Sequence, residues 1–279
     1  MKGKVCIVTG SNSGIGKETA LAISNIGATV IMVVRDEERG EKALSEIINK
    51  TGNHDTFLMI CDLSSMDSIR KFVKEFAEKY DKLNVLINNA GAVFRKRQTT
   101  VDGFERTLAV DYLGPFLLTY ELLPLLKSSV PSRIINLISG LHKSGKIDFD
   151  DFQSDKNYVG MTIYSNVKLM VTMYTYELAR RLKGTGVTVN GVLPGFVRTN
   201  LGRNSGSLLY TLEYLMVRPF QISAKKGAET SVYLASSDEV EGVTGTCFSK
   251  MHETTTSQIS YDPQTQKRLW DTTIELLKL

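Results

Sequence analysis

The sequence predicts a single-domain α/β fold: a doubly wound parallel sheet with helices on both faces, spanning residues 1–279. Three observations predict it. Short β-rich runs alternate with longer helical patterns along most of the chain. Residues 29–34 are apolar at every position after the threonine, as expected of a strand covered on both faces. No proline-, glycine- or serine-rich linker and no internal repeat interrupts the alternation.

The elements follow in order. Residues 5–8, Val-Cys-Ile-Val, read as a buried strand, and 15–25 as the helix after it. The second strand, 29–34, leads into a charged helix over 37–49. The third strand is 57–61 and the third helix 65–80. Residues 85–87 form the fourth strand, followed by a long helical stretch over 104–126 that Pro115 and Pro124 are expected to kink or end. The fifth strand is 133–138, the next helix 161–182 and the sixth strand 187–192. From Thr199 the pattern loosens, and helices are expected again over 224–236 and 263–277.

Bulk properties narrow the function. The chain has 42% apolar and 23% charged residues, ordinary for a globular protein. A net charge of +4 with no long basic run gives no warrant for nucleic-acid binding. Cys6, Cys61 and Cys247 are scattered without metal spacing, which suits a reducing compartment. His54, His142 and His252 show no metal spacing either, so no metal is expected; His142 reads as a surface residue. The first apolar run leads straight into a glycine loop, and no stretch approaches the roughly 18 apolar residues of a membrane span. The expected address is cytoplasmic.

Directly after the first strand stands Thr9-Gly10-Ser11-Asn12-Ser13-Gly14-Ile15-Gly16. Glycines at a strand-to-helix turn allow positive φ and close approach of a pyrophosphate, and the following helix aims its N-terminal amides at the phosphates. That context points to a dinucleotide. A P-loop would need four residues between its glycines and then Lys-Ser or Lys-Thr. Here five residues separate Gly10 from Gly16, and Lys17 is followed by Glu18. At the end of the second strand an acid would bind the ribose 2′-hydroxyl of NAD, whereas an arginine favours the 2′-phosphate of NADP. Arg35 stands there, so NADP is expected over NAD, with Asp36 beside it as the opposing signal.

Tyr164 and Lys168 are four residues apart in a predicted helix and share one face. An ammonium near a phenol favours phenolate, and a tyrosine ordinarily titrates about three units too high for proton transfer at neutral pH. Ser139, at the end of the fifth strand, stands upstream of the pair. By itself it reads as a turn cap sooner than as a catalytic group.

Taken together these residues resemble the short-chain dehydrogenase/reductase family over essentially the whole chain. Gly10, Gly14 and Gly16 match its glycine motif, and Asn88-Asn89-Ala90-Gly91 its motif after the fourth strand. Ser139, Tyr164 and Lys168 match its catalytic serine, tyrosine and lysine, and Pro194-Gly195-Phe196-Val197-Arg198-Thr199 its nicotinamide loop. Val34-Arg35-Asp36, Cys61-Asp62-Leu63, Arg268-Leu269-Trp270-Asp271 and the 25 residues from Ser139 to Tyr164 resemble the retinol-dehydrogenase-like branch.

The resemblance implies a Rossmann-type fold, NADP(H), interconversion of an alcohol with an aldehyde or ketone, and a homodimer or homotetramer. It implies that Gly10, Ser11, Ser13, Gly14, Ile15 and Gly16 hold the cofactor's phosphates. Asp62 and Leu63 would meet the adenine, and Asn89, Ala90 and Gly91 the adenosine ribose and diphosphate. Pro194, Val197 and Thr199 would hold the carboxamide, and Lys168 the nicotinamide ribose. Many members of the branch carry an N-terminal membrane anchor, whereas this sequence opens at the first strand.

The family's fourth catalytic residue, an asparagine, is matched by Asp111. A carboxylate there favours the Lys168 ammonium and opposes phenolate at Tyr164. An active but altered enzyme is expected, with Asp111→Asn holding or raising turnover. The other reading, from a different functional class, is a cofactor-binding regulator or scaffold without turnover. Asn88 and Asn89 are expected partly to brace the sheet. Residues 141–159 form an insertion-like loop expected to wall the substrate pocket. The segment 200–222 is expected to be a substrate lid. Its apolar part, 208–220, is interrupted only by Thr211, Glu213 and Arg218, and also reads as an oligomer contact or a peripheral membrane surface. The expected substrate is lipophilic, retinoid-like or a medium- to long-chain carbonyl.

Overall fold

The computed structural model describes residues 1–197 and 221–279. Of the predicted lid at 200–222, residues 200–220 lie outside the described residues, as does Thr199.

Strands β1 (Val5–Thr9), β2 (Thr29–Val34), β3 (Thr56–Ile60), β4 (Val85–Asn88), β5 (Ser132–Leu137) and β6 (Val187–Val192) pair in parallel. Two further strands, β7 (Cys247–Ser249) and β8 (His252–Thr254), complete one sheet in the order β3-β2-β1-β4-β5-β6-β7-β8. Only β8 runs antiparallel, against β7.

Each of these buried strands sends alternate side chains to opposite faces, so each face needs its own apolar cover. Val5 and Ile7 join one core with Ile31, Leu86 and Ile134, while Cys6 and Val8 join the other with Val30, Met32 and Ile87. The first core is closed by α3 (Met66–Lys79), α5 (Gly114–Ser128), α6 (Gly160–Arg181) and α8 (Pro263–Leu277). The second is closed by α1 (Gly14–Asn25), α2 (Glu37–Thr51) and α7 (Ala224–Ser236). This two-sided cover is why the central strands read as continuous apolar runs.

The stretch expected as one helix broken by proline behaves differently. It begins as α4 (Arg106–Leu108), widens into a π turn over Ala109–Leu113 and continues unbroken as α5. Pro115 lies in the first turn of α5, where its missing N–H does least harm, and Pro124 sits within the helix without ending it. The π turn opens one residue before Val110 and holds Asp111, which is buried. Gly114 closes the turn against the chain after β3: a Cβ there would stand 2.3 Å from the Leu63 carbonyl oxygen.

The hairpin β7–β8 escapes the sequence pattern for a physical reason. Its strands are three residues long, and its turn residues Lys250 (φ 51°) and Met251 (φ 64°) take the left-handed conformation without glycine or asparagine. On the outer face, α8 seats Trp270 against Phe116 with ring centroids 4.8 Å apart, and Thr273 hydrogen-bonds the Tyr112 hydroxyl at 2.7 Å. Among the described residues, no helix is long and apolar enough to cross a membrane.

Candidate active site

The strand order reverses between β1 and β4, and a cleft of about 320 Å³ opens there at the carboxyl ends of the strands. The glycine loop forms its floor. Gly10 and Gly14 take positive φ, 65° and 58°. Thr9 Oγ1 accepts from the main-chain N–H groups of Asn89 and Ala90, both at 3.0 Å, and Asn89 Nδ2 donates to the Thr9 carbonyl at 2.7 Å. The loop after β1 and the loop after β4 are thereby locked together.

That lock explains the glycine at position 16. A Cβ there would stand 2.3 Å from Asn89 Nδ2 and 2.5 Å from the Gly10 carbonyl oxygen. At Gly14, by contrast, a Cβ would meet no protein atom within 4 Å, and the residue lines the open cleft. One glycine serves protein packing and the other leaves room for a ligand. Gly16→Ala is expected to destabilise the fold by about 1–3 kcal/mol through overpacking and to weaken nucleotide binding with it. Thermal melting and a fluorescence titration check both.

The cleft brings together most of the residues singled out in the sequence. Gly10, Ser13, Gly14, Ile15 and Gly16 line it, as do Asp62, Leu63, Asn89, Ala90, Gly91 and Pro194. Ser11 does not: it is buried behind the loop with its hydroxyl unpartnered. Val197 is also buried, paired with Ile222 across an isolated parallel bridge. Asp62 accepts from the Ser64 main-chain N–H at 2.9 Å and from its hydroxyl at 2.7 Å, which fixes the carboxylate's direction.

Arg35 lines one end of the cleft, and Arg39 lines it too. Arg39 was not singled out, yet it stands four residues beyond Arg35 in the first turn of α2. Asp36, which looked like a sign of NAD, caps α2 by accepting from the Arg39 main-chain N–H at 3.0 Å.

At the other end stand Tyr164 and Lys168, adjacent on α6 as their spacing requires. Asp111 faces them from the π turn. Its Oδ2 lies 3.1 Å from Lys168 Nζ, and its Oδ1 accepts from the Ala92 main-chain N–H at 2.7 Å. Lys168 Nζ also reaches the Leu137 carbonyl at 3.4 Å and stands 5.4 Å from the Tyr164 ring centroid. Gly91 gives this group its space, since a Cβ there would stand 3.0 Å from Asp111 Oδ2.

Burial raises the Asp111 pKa, and Lys168 and the Ala92 N–H only partly offset it. Burial disfavours the Lys168 ammonium, but Asp111 and Tyr164 outweigh it and the Lys168 pKa rises. For Tyr164 the balance differs from the sequence expectation. Burial pushes the phenol up; Lys168 pulls it down, Asp111 pushes it further up, and the Ser139 side chain helps lower it. The net direction is upward. The lysine alone does not bring this phenol toward neutrality.

Ser139 keeps both of its readings. Its Oγ caps the 3-10 turn Gly140–Ser144 by accepting from the Leu141 N–H at 3.3 Å, and its side chain acts to lower the Tyr164 pKa. Asn88 braces the sheet, donating to Asn136 at 2.9 Å and to Thr119 at 3.0 Å. His142 is not a surface residue as expected; it is fully buried beside Ser139. Among the described residues there is no cluster of three or more His, Cys, Asp or Glu that could hold a metal.

Comparison with known proteins agrees with this geometry. The family described as short chain dehydrogenase matches residues 4–207. Retinol dehydrogenase 12 of Homo sapiens is 43% identical over 99% of this chain and 87% of its own length. Retinol dehydrogenase 14 of Homo sapiens is 42% identical, over 97% of this chain and 85% of its own. A crystal structure of an uncharacterised protein from Mycobacterium paratuberculosis superposes with a TM-score of 0.80 at 29% identity, covering 99% of this chain and 94% of that one.

Proposed function

We propose, from the premise that this chain belongs to the short-chain dehydrogenase/reductase family and to its retinol-dehydrogenase-like branch, that it is an NADP(H)-dependent reductase and dehydrogenase of lipophilic carbonyls and alcohols. The coarser statement, an oxidoreductase that interconverts alcohols with aldehydes or ketones, follows from the family and its relatives. The cofactor and the substrate class are the proposal.

One observation carries it: a single cleft runs from Arg35 and Arg39 at one end to Tyr164 and Lys168 at the other. Arg35 and Arg39 would hold the adenosine end of a dinucleotide in this cleft, and Tyr164 and Lys168 would stand at its nicotinamide end. The positive φ of Gly14 and the open space at its missing Cβ fit a pyrophosphate in between. When bound, NADPH supplies the hydride to the carbonyl carbon. Tyr164 gives its proton to the carbonyl oxygen in reduction and takes it back in oxidation. Ser139 donates a hydrogen bond to the same oxygen and fixes its place. Lys168, held as an ammonium by Asp111, opposes the upward pull of burial on Tyr164.

The lipophilic preference is supported by exposed apolar side chains that neighbour the site residues in sequence. Leu141, Val159, Met161 and Phe196 are exposed, and each lies within five residues of Ser139, Tyr164 or Pro194 in the chain. Apolar surface of this kind near a polar catalytic group suits a substrate with a long apolar body and one carbonyl. The names of the relatives point to retinoids as one such class.

Arg35→Ala and Arg39→Ala test the cofactor. Each removes a charge-assisted contact worth about 1.5–3 kcal/mol, so NADPH binding weakens roughly 10- to 100-fold while NADH binding stays unchanged. Equal loss for both nucleotides, by fluorescence titration, would show that the arginines do not read the 2′-phosphate.

A further inference from the structure

His142 lies three residues beyond Ser139, in the turn Gly140–Ser144, and its side chain bridges two segments far apart in sequence. Its Nδ1 stands 2.5 Å from the Ser139 carbonyl oxygen, and its Nε2 stands 3.1 Å from the main-chain nitrogen of Ser257. A carbonyl oxygen only accepts and a peptide N–H only donates. The partners therefore fix the tautomer: Nδ1 carries the hydrogen and Nε2 is bare.

Both ends of this bridge are anchored. The Ser139 carbonyl also accepts from the His142 main-chain N–H at 3.0 Å, and the Ser139 hydroxyl accepts from Leu141. On the far side, the residue before Ser257 is tied to the catalytic helix by a 2.7 Å hydrogen bond between Thr256 and the Tyr176 hydroxyl. Gln266, on α8, donates to the Ser260 carbonyl at 2.6 Å.

We propose that His142 is a positioning residue for the carbonyl chemistry: its neutral ring clamps the Ser139 main chain to Ser257 and so sets where the Ser139 hydroxyl stands relative to Tyr164. The proposal rests on the reading of Ser139 and Tyr164 as catalytic. The clamp is open to protons. A hydrogen on Nε2 would face the Ser257 N–H, donor against donor, and break the link. Burial holds the His142 pKa below the ordinary value of about 6.5, and Lys143 acts in the same direction against the Ser139 carbonyl. Lys143 is the charge on its own turn; α6, packed against that turn, carries Tyr164, Lys168 and Tyr176, and the segment across the ring carries Tyr261 and Asp262. The neutral clamp is thus present at neutral pH and lost as pH falls below the usual histidine range.

The test is steady-state reduction of a medium-chain aldehyde by NADPH between about pH 5 and 8, for the native protein, His142→Asn, His142→Gln and Ser139→Ala. Asparagine can place an amide N–H where Nδ1 stands, whereas glutamine reaches the Nε2 end and leaves the Ser139 carbonyl without its second donor. The native kcat falls on the acid side with a midpoint below about 6.5, and this limb disappears in both histidine variants. At neutral pH the glutamine variant loses roughly 10- to 100-fold in kcat, the scale of a misplaced reacting group, with KM for NADPH unchanged, and the asparagine variant loses less. A glutamine variant as active as the asparagine variant, or a native enzyme without the acid limb, overturns the clamp. The native profile gives its answer even if a variant fails to fold. Ser139→Ala with native turnover would instead overturn the catalytic reading beneath it.

Discussion

Tyr164→Phe lowers kcat by roughly 10²- to 10⁴-fold, the range of a positioned general acid or base, while NADPH affinity stays near native. The variant keeps the ring and removes only the hydroxyl. Tyr164 is 7% exposed, so its packing is worth preserving, and phenylalanine preserves it. In the proposed mechanism the hydroxyl is the proton source for a carbonyl oxygen lying beside Ser139. Lys168 holds the ammonium form through Asp111, and burial keeps the Tyr164 proton on the phenol. That state suits carbonyl reduction, in which the phenol must donate. Oxidation of an alcohol needs the phenolate and should be favoured only as pH rises. Initial rates in both directions across pH check this. A Phe variant that keeps more than about a tenth of native kcat would show that another group moves the proton.

Changing Asp111 has the second large effect, and its sign depends on the replacement. Asp111→Ala strips the buried Lys168 ammonium of its counter-charge and the Ala92 N–H of its acceptor. Removing one partner of a buried pair costs about 3–5 kcal/mol, so this variant melts far below native. Asp111→Asn keeps an acceptor for Ala92 and removes only the charge. That charge raises the Tyr164 pKa and the Lys168 pKa, so both fall in the asparagine variant. The pH at which the phenol ionises moves down, and oxidation gains activity at lower pH than in the native protein. Turnover at neutral pH holds or rises. A large loss of activity in Asp111→Asn, with the fold intact, would show that the carboxylate itself is needed.

How much of this was legible in the sequence can be argued residue by residue. The strand β2 is legible to its ends because burial on both faces leaves an uninterrupted apolar run after Thr29. The glycine loop was legible because Gly10 and Gly16 meet a chemical need of the backbone. Tyr164 and Lys168 were legible because helical spacing alone puts them together.

What escaped the sequence depends on contacts between distant segments. The π turn at Ala109–Leu113 leaves no composition signal, yet it presents Asp111 to Lys168. The burial of His142 depends on Ser257, more than a hundred residues away. The upward shift of Tyr164 comes from burial, which spacing cannot report. Arg39 was the exception: a second arginine in the first turn of the helix that follows Arg35 was a readable signal for the same cleft.

The most direct test of the account is the transfer of a labelled hydride. NADPH carrying deuterium at its hydride-donating carbon is mixed with the protein and a panel of lipophilic aldehydes, retinal among them, and the products are read by mass spectrometry. The account predicts that an aldehyde of the panel becomes an alcohol with one deuterium on the former carbonyl carbon, and that the Tyr164→Phe variant binds the nucleotide but transfers almost none. Tight NADPH binding with no deuterium delivered to any carbonyl would contradict it and leave a nucleotide-binding protein without turnover.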